Sequence, residues 1–336
     1  MAVCFLSRQI LRVLQQVANV CMNHMSETAC ILPLSSGTWK TSSRGTWTVS
    51  SDRKTITNFE ATTSSIEGPA VRSMACDDNT SDQDGYISLK STSTYTILGG
   101  LKYIYACILF QQQSKTSTDA YYFYLGSDLV TLQAGTYERI VLLPDTTKFN
   151  FSSHCVSKST TADRANIAIK SGAEANSSIT CPASIQGTYS YTGTTCNTTF
   201  LNVCSTPTQL RFNYTICSTT QMFSLSGRLY CVYSGTNSGN NYLIVYNSDT
   251  SVDSLTYFQF SCMVYSTSGV KVSVSINPKE CYGTLYQTPT STNHPKGITR
   301  TFTNYANCKI FKFSTAKNYT FDYYERNDVH SQQTDR

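Results

Sequence analysis

The sequence predicts an all-β protein built of two tandem, disulfide-stapled antiparallel modules of barrel or sandwich form, preceded by a short N-terminal helix. Three observations lead there. Apolar residues recur with a period of two, a series of landmarks occurs twice in the same order, and the 336 residues include 14 cysteines.

The elements follow in chain order. Residues 1–29 form an N-terminal extension, with Ile10, Leu14 and Val17 at helical spacing. Arg12, Gln15, Gln16 and Asn19 interrupt that stretch, which makes it too polar for a signal-peptide core or a membrane span. The expectation is a gene model that starts short of its true leader. Cys4 and Cys21 fall in this extension and are assigned no partner.

The first module spans 30–156 and opens with Cys30-Ile-Leu-Pro-Leu-Ser-Ser-Gly37-Thr38-Trp39. Trp47 and Val49 alternate with polar neighbours ahead of a Ser-Ser-Asp-Arg-Lys turn at 50–54, the pattern of a strand with one buried face. Residues 157–178 are rich in Ser, Thr and Ala and are expected to be a linker. The second module, 179–308, opens with Cys181-Pro-Ala-Ser-Ile-Gln-Gly187-Thr188-Tyr189. Within it Leu210, Phe212, Tyr214 and Ile216 alternate with Arg211, Asn213 and Thr215, and Val270, Val272, Val274 and Ile276 alternate with Lys271, Ser273 and Ser275. Residues 309–336 are expected to form a C-terminal hairpin and tail, the start of a third unit. Short strands with Ser, Gly and Asn turns in both modules favour closed or sandwiched antiparallel sheets.

Further landmarks align the two copies. Gly100-Leu-Lys-Tyr-Ile-Tyr105-Ala-Cys107 is matched with Gly227-Arg-Leu-Tyr230-Cys231, and Tyr121 through Asp128 with Tyr242 through Asp249. Cysteines divide accordingly. Cys30, Cys76, Cys107 and Cys155 fall in the first copy, where three connectivities are open. Position by position, Cys30 is paired with Cys107 and Cys181 with Cys231. Short spacing pairs Cys196 with Cys204. Cys76–Cys155, Cys217–Cys262 and Cys281–Cys308 complete the expected set.

Composition bears on compartment. Asn-x-Ser/Thr acceptors occur at Asn79, Asn150, Asn176, Asn197, Asn213 and Asn318. Sugars are added to such sites only in the secretory lumen, and cysteines at this density pair only where conditions oxidise. Both signals point to a secreted, extracellular glycoprotein. Charged residues are 14% of the chain against roughly a quarter in an average soluble protein, so the surface is built mainly of uncharged polar groups. Net charge is +5 with no Lys/Arg run, which argues against nucleic acid as a partner.

Candidate chemistry is sparse. His24, His154, His294 and His330 stand in no recognisable catalytic setting, and His154 beside Cys155 reads as a loop residue next to a bridge. Zinc spacings and phosphate-binding glycine loops are absent from the sequence, and no cofactor is expected. Asp82-x-Asp84-Gly85 copies part of a calcium loop, but Thr80 stands at its first ligand position and Ser91 at its twelfth, so Asp82 and Asp84 make a weak calcium candidate. Gly37-Thr38-Trp39 resembles the Gly-x-Trp signature of lipocalins, whose eight-stranded cup holds a small apolar ligand.

A second resemblance is longer. Cys181-Pro followed by Gly187-Thr-Tyr-Ser-Tyr, Leu210 through Ser224, Leu229-Tyr-Cys-Val and Tyr257-Phe-Gln-Phe-Ser-Cys262 is similar to the tandem cysteine-rich domains of unknown function in uncharacterised secreted or surface proteins of molluscs. It is closest over roughly residues 181–290. The resemblance implies an exported modular architecture, and for some such proteins a place in the organic matrix of shell; it implies no activity. The expectation is therefore a non-enzymatic structural or interaction component of an extracellular matrix, binding other matrix proteins or glycans, with no membrane span. The alternative is a lipocalin-like binder of small apolar ligands.

Overall fold

The computed structural model describes residues 30–61, 71–81, 84–114, 117–133, 136–191, 200–217, 222–252, 256–281, 288–290, 297–314 and 320–325. The expected N-terminal helix lies outside them.

The first body contains β1 (Gly37–Thr41), β2 (Thr46–Val49), β3 (Thr55–Glu60), β4 (Val71–Ser81), β5 (Ile87–Ser91), β6 (Tyr95–Ile97), β7 (Gly100–Ser114), β8 (Ser117–Leu125), β9 (Leu129–Gln133), β10 (Thr136–Arg139), β11 (Val141–Leu143) and β12 (Asn166–Lys170). Eight of these close a ring in the order β1-β2-β3-β4-β5-β7-β8-β12, because β12 pairs with both β8 and β1. The short β6 and β11 both add to β7, while β9 and β10 form a hairpin of their own. A single helical turn, α1 (Phe151–His154), follows β11.

The second body is a plain meander. Strands β13 (Gly187–Tyr191), β14 (Leu201–Asn202), β15 (Gln209–Phe212), β16 (Arg228–Asn237), β17 (Asn240–Asn247), β18 (Phe260–Ser268), β19 (Lys271–Pro278) and β20 (Ile298–Asn307) pair in sequence, and β20 returns to β13. Both modules are thus eight-stranded antiparallel barrels, and a hairpin of β21 (Lys309–Ser314) and β22 (Thr320–Glu325) follows.

Period-two alternation fills these barrels from within. In the first, Trp39 and Trp47 stand directly opposite one another on β1 and β2. The Trp47 ring stacks on Phe59 at 5.7 Å and lies 5.2 Å from Phe123. The indole N–H groups donate to the Ser35 and Arg44 carbonyls, both at 2.8 Å, so neither Trp buries an unpaired donor. Leu32 and Leu34, ahead of β1, are fully buried in the same cluster and close one end of the barrel. In the second barrel Tyr189, Phe200, Phe212, Met263 and Phe302 converge, with Phe302 6.3 Å from Phe200 and 6.4 Å from Phe212. The void left beside Tyr189, Met263 and Phe302 is about 20 Å³, room for a water molecule and too small for an organic ligand.

A third apolar cluster joins the barrels. Ala120 and Tyr124 of β8 and Ile167 and Ile169 of β12 pack on Tyr233, Tyr242, Ile244, Tyr246 and Val264 of β16–β18. A bulge between Cys231 and Tyr233 lets the consecutive Val232 and Tyr233 both join this cluster. Tyr122 meets Tyr233 edge to face at 4.8 Å. Lys40 ties the seam, bonded to Glu174 at 2.7 Å and donating to the Tyr246 hydroxyl at 3.1 Å.

Three expectations need correction. Residues 157–178 are more than a linker, because Asn166–Lys170 supplies the strand that closes the first barrel. The landmark alignment slips by one hairpin: Cys107 lies on the sixth strand of its ring, whereas Cys231 lies on the fourth.

The third correction concerns the disulfides. Cys30 bonds Cys76 and Cys107 bonds Cys155, replacing Cys30–Cys107 and Cys76–Cys155. Cys181 bonds Cys231. Cys204 bonds Cys308 and Cys262 bonds Cys281, which excludes Cys196–Cys204, Cys217–Cys262 and Cys281–Cys308. Cys217 is disulfide-bonded as well, and Cys196 lies outside the described residues. The reason is geometric. The segment ahead of each first strand folds over a barrel end to reach the fourth strand, a proximity that spacing along the chain does not encode.

Candidate functional site

A cluster of charged side chains lies where the barrels meet. Arg44 sits in the β1–β2 turn, held there by its backbone N–H donating to the Thr41 hydroxyl at 3.0 Å. Its guanidinium is buried, pairs with Glu138 of β10, and donates to the Glu60 carbonyl at 3.4 Å. It also lies over the Phe59 ring at 5.8 Å, while its Nε has no partner among the described residues. From the second barrel, Lys279 reaches Glu60 at 3.3 Å, and the neighbouring Glu280 carboxyl faces the Arg44–Glu138 pair.

Burial of Arg44 alone would lower its pKa. The negative charges of Glu138, Glu280 and Glu60 outweigh that and hold it above the ordinary arginine value. Burial pushes the Glu280 carboxyl up to about 7; Arg44 pulls it down, and the like charge of Glu138 adds to the rise. A cleft of about 290 Å³ opens beside this cluster, lined by Thr41, Ser42 and Glu60 from one barrel and Phe258, Gln259 and Lys279 from the other. Chemically, the arrangement is a ring of alternating charges whose balance changes when one carboxyl takes up a proton near neutral pH.

The residues singled out from sequence are scattered. Asp84 is ion-paired with Lys158 at 2.7 Å, and its expected calcium partner Asp82 lies outside the described residues. Cys155 is bridged to Cys107, so its sulfur is not a free nucleophile beside His154, whose Nδ1 accepts from the Asn150 backbone N–H at 3.0 Å. His24, His294 and His330 lie outside the described residues.

Among the glycosylation acceptors, Asn150, Asn176 and Asn213 are exposed. Asn213 and Asn150 share one local geometry. The Asn213 Oδ1 accepts from the Thr215 backbone N–H at 3.1 Å and from its hydroxyl at 2.5 Å; the Asn150 Oδ1 accepts from Ser152 at 2.9 and 2.7 Å. Asn79 falls in β4, and Asn197 and Asn318 lie outside the described residues.

The cluster of Arg44, Glu138 and Glu280 was not found from sequence. Arg44 is 94 residues from Glu138, and Glu280 arrives from the other module, so no local motif marks them. Tandem duplication is the only signal that could have directed a search to the seam.

Residues 176–296 match the profile of a family described as Domain of unknown function (DUF7042). The match runs through β13–β19, seven of the eight strands of the second barrel. No curated protein and no solved structure matched the chain.

Proposed function

We propose that the chain is a non-enzymatic secreted glycoprotein that serves as a structural or interaction component of an extracellular matrix. One observation carries this reading. All eleven cysteines among the described residues are disulfide-bonded, and they staple two barrels packed against each other. Such bridges persist only in an oxidising compartment. The alternative of a lipocalin-like carrier is disfavoured by the second barrel, whose interior is occupied by Tyr189, Phe302 and their neighbours. The similarity of residues 181–290 to cysteine-rich mollusc modules extends the reading to the organic matrix of shell.

Expression behind a secretory leader in eukaryotic cells tests the proposal. The medium should contain a protein whose cysteines resist iodoacetamide until reductant is added, and whose gel mobility shifts after N-glycan removal. Broad alkylation of the native protein without reductant would overturn the reading. For the shell assignment, the peptides must be recovered from washed, decalcified matrix; their absence there refutes that extension alone.

A further inference from the structure

We propose that the outer wall of the second barrel carries a binding site for an acidic glycan, centred on Arg211 and Arg228. The two arginines are direct cross-strand partners on β15 and β16. Their chain neighbours Leu210, Phe212 and Leu229 point into the barrel core, so the alternation of the strands turns both guanidiniums outward, onto the same face. Like charges directly opposite each other on a sheet repel at a Cβ separation of about 5 Å. No acidic side chain among the described residues forms an ion pair with either one. The site therefore carries a repulsion that a bound anion would relieve.

The surroundings form a receptor for such an anion. A groove of about 590 Å³ runs past both arginines, within the roughly 300–1,000 Å³ usual for ligand sites. Asn202 stands beside Arg211 in register on β14. Its Oδ1 already accepts from the Cys204 and Ser205 backbone N–H groups at 2.9 and 3.0 Å, which leaves the amide NH₂ as a donor. The acid nearest along the chain, Asp249, is occupied by the 224–226 turn. It accepts from Ser224 Oγ at 2.9 Å and from the Leu225 and Ser226 N–H groups at 2.7 and 3.0 Å.

Tyr214 lines the groove beyond the arginines, half-buried, with its ring stacked on the buried Phe212 at 6.4 Å and 8°. Guanidiniums grip sulfate or carboxylate oxygens in pairs. The groove thus fits a polysaccharide bearing sulfates or carboxylates. The assignment rests on the extracellular reading above and names the class of partner.

Binding is measured by fluorescence anisotropy on the full secreted chain, using labelled sulfated dextran oligomers, polygalacturonate oligomers, neutral dextran and polyglutamate. All proteins carry Asn213→Gln, so that a sugar on the groove's lip cannot mask it. The expected result is salt-dependent binding of a charged glycan, at least about tenfold tighter than neutral dextran. It should weaken about tenfold or more in Arg211→Ala/Arg228→Ala and only partly in Arg211→Lys/Arg228→Lys. Which charged glycan binds better distinguishes sulfate from carboxylate recognition.

A control of equal charge loss, Lys148→Ser/Lys271→Ser, alters exposed lysines elsewhere and should leave binding intact. Equal loss in this control, equally tight binding of polyglutamate, or no binding of any charged glycan would overturn the site. Thermal unfolding of each variant identifies misfolded ones, and a folded double-alanine variant that still binds also overturns it. None of these outcomes bears on the cysteine labelling that judges the extracellular reading.

Discussion

Cys76 and Cys231 are structural equivalents: each stands on the fourth strand of its barrel, bonded to a cysteine (Cys30 or Cys181) that precedes the first strand. Cys107 and Cys262 match in the same way on the sixth strands, bonded onward to Cys155 and Cys281. The two barrels therefore share strand order and two bridge positions. That shared pattern is what duplication of one stapled barrel would leave.

The equivalence makes a graded prediction about stability. The Cys181–Cys231 bridge spans 50 residues and Cys262–Cys281 spans 19. Loop closure assigns about 4 kcal/mol to the first and about 3 to the second. Replacing each pair by serine should lower unfolding free energy in that order, as read from urea midpoints at constant slope. A larger loss from the shorter bridge would mean that native packing, not chain entropy, governs these staples.

Much of this fold is legible in the chain, and the gaps have physical causes. Val272, Val274 and Ile276 face the core as their alternation predicts, whereas Val270, read with them, lies in the turn before β19 and is exposed, and Ser275 on the opposite face is buried. Asn166–Lys170 reads as linker because β12 is buried on both faces. Ala168 joins the barrel core while Ile167 and Ile169 join the seam, so no polar alternation marks it. The repeat register slips because a Tyr stands just before a Cys on the sixth strand of the first barrel and on the fourth strand of the second. The seam cluster was invisible because the chain's closure into rings, not its local pattern, brings Arg44 to Glu280.

Gly227 should prove intolerant. It has φ +72°, and a Cβ there would clash with the Phe212 carbonyl oxygen. Gly239 has a similar φ of +80° with nothing within 4 Å. Gly239→Ala should cost about 1–2 kcal/mol, the left-handed backbone penalty alone. Gly227→Ala should cost clearly more, since β15 and β16 must also part. Thermal melts of the two variants side by side decide it; equal shifts would count against the clash.

Glu280 predicts a pH dependence. Its folded pKa is raised to about 7 from 4.5, so between those values the folded state holds a proton that the unfolded state has released. Protonation there favours folding, and stability falls as pH rises from 4.5 through 7, levelling above. Glu280→Gln keeps the neutral shape and should remove this part of the slope. Melting temperatures from pH 4.5 to 8.5 test it, and parallel curves for the two proteins would refute the assignment.

The seam predicts coupled unfolding. Tyr233 packs edge to face on Tyr122, and Gly235, two residues on, is so close to Ala162 of the first barrel that a Cβ there would stand 2.8 Å from the alanine methyl. Such close approach binds two cores into one cooperative unit, because neither barrel can open without exposing Ile167, Ile169 and Ile244 to water. Tyr233→Ala removes the central ring at a cost of about 3 kcal/mol. Calorimetry of the parent should show one transition; the variant should show two, the earlier belonging to the barrel with less support of its own. One sharp transition retained in a destabilised variant would place the coupling elsewhere, in the Lys40–Glu174–Tyr246 tie or the Glu60–Lys279 pair.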